Sequence, residues 1–225
     1  MQELYRKDYE GEFIVTKSII RGGKKIQDKE WIENPIQNQH ISGRAICIAD
    51  GKSREDFPIH HLQDHKGGLL GKLRVQTYGT GRVADEIICN FYVSRNQSAL
   101  EKCIETQYTI HTACYTSTSN CLKYPGEFYL TPYKTLGSDQ LLAAWIACFD
   151  GHKEIFFIGY DYIDDQPTVD EITDLMNTYK GTKFTRVSSG VKTNQFDNQT
   201  PEDWKWCTNF SEMSYTQWIS YCDIG

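Results

Sequence analysis

The run Ala45-Ile46-Cys47-Ile48-Ala49, followed at once by Asp50-Gly51-Lys52-Ser53, constrains this chain more than any other segment. A short, uninterrupted apolar run predicts a strand covered on both faces, and such strands belong to parallel sheets flanked by helices. Glu154-Ile155-Phe156-Phe157-Ile158-Gly159-Tyr160-Asp161 has the same buried character and a polar end. Just before it, Leu141, Leu142, Trp145, Ile146, Cys148 and Phe149 recur at helical spacing. Ser138 is placed as the N-cap of that helix and Asp139 at the positive end of its dipole, with Gly151 as the residue that stops it.

The remaining pattern fills in around these elements. Further strands are predicted at 72–78, 87–93, 108–115, 127–132 and 183–188, with helices from Lys52 through Leu62, at 98–105 and at 169–180. Strands alternating with helices over short connections imply an α/β fold: an open, mainly parallel, Rossmann-like sheet with helices on both faces. Residues 12–33 form a hairpin in this reading, with Gly22-Gly23 supplying the positive φ angles of a tight turn, and Asn34-Pro35 ends it. From Thr193 onward Trp204, Trp206, Phe210, Tyr215, Trp218 and Tyr221 arrive without a long strand. The division is therefore an N-terminal hairpin extension (1–43), the α/β domain (44–192) and an aromatic tail (193–225) with one short helix near 214–221, packed on the domain.

Composition narrows the function classes. A net charge of -6 with no Lys- or Arg-rich stretch argues against nucleic-acid binding through phosphate neutralisation. No apolar run approaches the roughly 20 residues needed to cross a bilayer, and residues 1–8 lack the apolar segment of a signal peptide. The expected location is therefore cytoplasmic. The 8 cysteines contain no C-x-x-C pair, which argues against a zinc ribbon. Cys47, Cys89, Cys114 and Cys148 fall in apolar runs, where a reduced cysteine acts as a small hydrophobe.

In open parallel sheets ligands bind beyond the carboxyl ends of the strands, and three segments reach that edge. Asp50-Gly51-Lys52-Ser53 offers a glycine that lets backbone approach a ligand, or serves as a plain tight turn. Tyr78-Gly79-Thr80-Gly81-Arg82 is either an anion pocket or a flexible connection. Gly159-Tyr160-Asp161-Tyr162, with Asp164 and Asp165 after it, places a carboxylate where it can hold a ribose hydroxyl or a sugar, or cap the next turn. Neither G-x-G-x-x-G nor a Walker loop is present, so no cofactor is expected. No metal site is expected either. His61 and His65 share one helical face but lack the glutamate of H-E-x-x-H, and read as a solvated helix end. His111 reads as a core histidine in a strand, and His152 as a charge suited to a helix C-terminus.

Two of these segments together resemble a family. Arg44 to Ser53 looks like the opening strand and nucleotide loop of bacterial lipooligosaccharide sialyltransferases and the related pterin-pyrophosphokinase-like group. Ser138 to Asp161, with Gly151-His152-Lys153-Glu154-Ile155 and Gly159-Tyr160-Asp161, is similar to their central helix and strand. The resemblance implies a glycosyltransferase fold that binds a cytidine nucleotide sugar. It puts Gly51 and Ser53 against the donor, Ser138 and Asp139 close to it, and Asp161 at its ribose or cytosine. Inverting transfer also needs a base for the acceptor hydroxyl, for which Asp161 is the first candidate catalytic residue, with Asp164 and Asp50 as the other stand-ins. The chain departs from the family in three places. Asp50 stands where the family has Asn, a second donor-binding Asn aligns near Gly79, and no histidine follows His152 to act as the family's base. Segments 34–44 and 221–225 also resemble small proteins of marine tailed phages. Two functions stay open: a glycosyltransferase-like protein binding a nucleotide or nucleotide sugar, with altered catalysis, or a non-catalytic virion or host-interaction protein. The second would bring homo-oligomer or virion partners.

Overall fold

The computed structural model describes residues 4–7, 12–33, 43–55, 57–59, 62, 75–131, 137–161, 166–189 and 200–222. Strands β1 (Leu4–Lys7), β2 (Glu12–Arg21) and β3 (Lys24–Glu33) form an antiparallel sheet in that order. The β2–β3 hairpin turns on Gly22 and Gly23, with φ of 58° and 77°, as two-residue hairpin turns of this hand require. The sequence pattern missed β1, whose four residues Leu-Tyr-Arg-Lys carry no distinct alternation.

The second sheet carries the fold. Its strands are β4 (Arg44–Ile48), β5 (Val75–Thr80), β6 (Phe91–Val93), β7 (Ala113–Thr116), β8 (Tyr129–Leu130), β9 (Glu154–Ile158), β10 (Lys183–Ser188) and β11 (Phe210–Ser214). They lie in the order β11-β10-β9-β4-β5-β6-β7-β8, and every neighbouring pair is parallel. The chain walks outward from β4 to β8, then returns to the other side of β4 as β9. The reversal makes β4 and β9 the topological switch point of the sheet.

Helices cover both faces, as the uninterrupted apolar strands demanded. They are α1 (Gln97–Glu105), α2 (Thr118–Lys123), α3 (Asp139–Phe149), α4 (Gln166–Thr178), α5 (Glu202–Lys205) and α6 (Tyr215–Cys222). Ala45, Cys47, Tyr78, Ile155 and Phe157 pack on one face against α3, α4 and Trp204 of α5. Ile46, Ile48, Phe156, Ile158 and Val187 pack on the other against Phe57, Leu62 and α6. Residues 141–149 of α3 are all buried, because the helix is apolar around its circumference. Gly151 ends it with φ 88°.

Several expectations need correction. Residues 87–90 are not strand, because side chains take the places of a backbone ladder. Thr77 N donates to Asn90 Oδ1 (3.0 Å), Asn90 N to Thr77 Oγ1 (2.8 Å), and Cys89 N to the Tyr108 hydroxyl (3.0 Å). The predicted strand at 108–115 begins instead as a 3-10 turn, Tyr108–Ile110, entered through Gln107 at φ 58°. His111 closes that turn and is exposed, rather than a core residue. The tail is part of the sheet: β11 pairs in register with β10, Phe184 against Phe210. Trp218 and Tyr215 of α6 then meet Phe57 edge to face, at 5.5 and 5.0 Å between ring centroids.

A polar cluster is sealed beneath α3. The Tyr78 hydroxyl donates to Asp150 Oδ2 (2.5 Å) and lies 2.9 Å from Nε2 of fully buried His152. His152 is thus an interior group rather than a charge at a helix end. Burial pushes the Asp150 carboxyl up to about 6, although the Tyr78 hydrogen bond lowers it. The folded value stands above the unfolded one. The stability contribution is therefore fully present only below about pH 4 and is lost as pH rises from there through about 6, by roughly 3 kcal/mol in all. Asp150→Asn is expected to flatten this slope in urea midpoints taken between pH 4 and 7; an unchanged slope would refute the assignment.

Candidate functional site

At the switch point the crevice is filled by protein. Ala49 N donates to Ile158 O and Gly51 N to Gly159 O, both at 2.9 Å, so the loops after β4 and β9 run together. A β-carbon on Gly51 would overlap the Gly159 carbonyl oxygen and the Asp161 carboxylate. One on Gly159, whose φ is 71°, would overlap the Ala49 carbonyl. Asp161 fastens this junction: Oδ2 accepts from Ser53 N (2.7 Å) and Oδ1 from Arg186 Nη2 (2.8 Å). Arg186 also donates to Thr200 Oγ1 (3.1 Å). Ser53 is buried, and its carbonyl accepts from the Tyr215 hydroxyl. Gly51, Ser53 and Asp161 are thus brought together, but around one another.

The open space lies one strand over, beyond the carboxyl ends of β4, β5 and β6. Two adjoining hollows of about 440 and 480 Å³ share Asp50, Gly81 and Asp139. The first is completed by Thr80, Arg95 and Gln140. The second runs past Tyr92 and Ser94 to α1. A helix N-terminus and three strand ends converge here, the arrangement in which parallel sheets place their ligands.

Each wall of the cleft is tied by a charge. Asp50 accepts from Arg82 N (2.9 and 3.1 Å) and from Arg54 Nη2 (3.1 Å). Arg54, buried, grips Glu86 with both guanidinium nitrogens at 2.8 and 2.7 Å. The Glu86 hydrogen bond holds the Arg54 guanidinium above its ordinary value, and the same bond holds the Glu86 carboxyl below its own. Asp50 thus accepts from one guanidinium N–H and one backbone N–H, while the charge of Arg54 is shared between Asp50 and Glu86. On the opposite wall Asp139 accepts from Arg95 Nε (2.6 Å) and Arg95 N (3.1 Å), and Arg95 Nη2 donates to Gly137 O (3.0 Å). Ser138 caps α3 as expected, accepting from Leu141 N at 3.1 Å. The Tyr92 hydroxyl donates to Gly81 O (2.8 Å) and fixes the floor.

Of the residues singled out in the sequence, Asp50 and Asp139 line the cleft, while Ser138 serves as the N-cap of α3 and is not part of the lining. Gly79 does not line it: a β-carbon there would meet Cys89 Sγ at 2.7 Å and Val83, on the far face of β5. Its neighbours Thr80 and Gly81 take that place. Arg95 and Gln140 were missed: each stands near an element end, but nothing local in the sequence marked either as lining a cleft. Tyr162, Asp164, Asp165, His61 and His65 fall outside the described residues. Among the described residues no three metal-ligating side chains converge, and no helix is long and apolar enough to cross a membrane.

No family model and no curated protein matches the chain. Solved structures do. The alpha-2,3/8-sialyltransferase CstII, as a point mutant, is 13% identical, with a TM-score of 0.46, over 70% of this chain and 87% of that one. CstII from Campylobacter jejuni, in complex with the substrate analogue cytidine-5'-monophosphate, is 14% identical, with a TM-score of 0.45, over 70% and 85%. At these identities the likeness concerns the course of the backbone.

Proposed function

We propose that the protein binds a nucleotide or nucleotide sugar in the cleft between Asp50, Thr80-Gly81, Arg95 and Asp139. The observation that carries this reading is the convergence of two carboxylates and a guanidinium in a hollow of about 440 Å³ at the carboxyl edge of a parallel sheet. Carboxylates accept from ribose or sugar hydroxyls, while Arg95 and the start of α3 favour phosphate. Asp161 lies outside the lining of the cleft, buried against Ser53 and Arg186, so in this reading it positions the loops. A base for glycosyl transfer must reach the acceptor hydroxyl. Among Asp50 and Asp161 that duty would fall to Asp50, the one that faces the cleft.

Thermal unfolding against cytidine, uridine and adenosine nucleotides and their sugar conjugates tests the reading. A ligand at about 100 times its Kd stabilises by roughly 2.7 kcal/mol, which raises Tm by about 5–10 °C for a chain of this size. Asp139→Asn is expected to abolish most of that rise while lowering the unliganded Tm by only a few degrees. A chain that no nucleotide or nucleotide sugar stabilises would sink the proposal.

A further inference from the structure

The second hollow of the cleft ends at a pair of thiols. Cys103 on α1 lines the hollow, and behind it lies Cys114 on β7. The two side chains are within hydrogen-bonding reach of one another, in a cluster with Tyr92 and Tyr108. Both residues are almost fully buried, at 3% and 1% exposure, yet only Cys103 borders the open hollow. The wall around it is mixed, with Ser94, Ser98, Lys102 and Thr106 beside Ala84 and Ala99.

We propose that Cys103 and Cys114 form a peroxide-responsive dithiol that closes to a disulfide at the floor of the cleft. Cys103 is the attacking thiol because it borders the hollow, and Cys114 is the resolving thiol because it touches Cys103 and nothing open. The hydrogen bond from Cys114 lowers the Cys103 thiol from its ordinary value, and the same contact raises Cys114, which fits those roles.

The steps balance. Cys103 as thiolate attacks one peroxide oxygen; the O–O bond breaks, an S–O bond forms, and the departing oxygen leaves as water after taking a proton. Cys114, losing its proton, then attacks the sulfenic sulfur of Cys103; the S–S bond forms and the S–O bond breaks, releasing the second water. Net, two thiols and one hydrogen peroxide give one disulfide and two waters. The bridge would staple α1 to β7, and with them the far wall of the cleft.

The test uses the full reduced chain without nucleotide, so its outcome is independent of whether nucleotides bind. Native protein is exposed to hydrogen peroxide, blocked with an alkylating agent and digested, and the peptides are weighed. The expected result is a Cys103–Cys114 linked peptide that disappears on treatment with dithiothreitol. Cys114→Ser is expected to leave Cys103 as a sulfenic acid that dimedone labels, and Cys103→Ser to leave Cys114 unoxidised. Three results would overturn the proposal: no linked peptide from the native chain, irreversible sulfinic acid at Cys103 as its main product, or a bridge from Cys114 to Cys89, which also lies close. The native-chain measurement stands even where a variant fails to fold.

Discussion

Gly51→Ala is expected to destabilise the fold by about 2–4 kcal/mol, seen as a fall in the urea midpoint with an unchanged slope. The cause is steric and local. The new methyl group would overlap a main-chain oxygen, Gly159 O, and the carboxylate that joins the two loops. Backbone cannot rotate out of the way as a side-chain tip can. Gly51 itself has φ -63° and ψ 149°, an ordinary extended conformation, so strain in its own backbone contributes nothing. Gly159→Ala carries the same kind of overlap, with Ala49 O, and adds the penalty of a left-handed φ of 71°. The double variant is expected to lose less than the sum, because both overlaps are relieved by one separation of the β4 and β9 loops. Gly51→Ala at the stability of the unaltered chain would mean that the loops are not in contact.

Arg186→Met is expected to cost about 3–5 kcal/mol, because among the described residues it leaves the buried Asp161 carboxylate with only the Ser53 N–H as partner. The pair is sealed, with 3% exposure at Arg186 and 8% at Asp161. Removing one charge from such a pair is far more harmful than removing both. Arg186→Met combined with Asp161→Leu is therefore expected to recover a good part of the loss. Equilibrium urea unfolding of the two single variants and the double variant checks this. Additive losses would show that the two side chains do not act on one another.

The legible part of this fold was the part where burial alone decides conformation. Residues 45–49 and 155–158 are apolar without alternation, and they became neighbouring central strands. Ser138 and Gly151 marked the ends of α3 because capping is local chemistry. Residues 87–90 misled because Thr77, Asn90 and Tyr108 replace the ladder with side-chain bonds, and a propensity pattern does not register a partner 13 or 19 residues away. β11 was hidden because Phe-Ser-Glu-Met-Ser is an edge strand, half-buried and mostly polar. The site was legible as an edge but not as a place on it. Gly51 and Asp161 both stood at strand ends, which is where ligands bind; that they occupy each other's space depends on β9 returning beside β4. Arg95 carried no signal because its meaning depends on Asp139, 44 residues later.

The proposed ligand cleft lies beyond β4, β5 and β6, one strand over from the filled switch point. Amide chemical-shift mapping on the isotope-labelled chain during titration with cytidine monophosphate tests it most directly. Shifts are expected at Thr80, Gly81, Arg82, Arg95, Asp139 and Gln140, with Gly51 and Gly159 quiet. Shifts centred on Gly51, Ser53 and Gly159, with the first group unmoved, would contradict it.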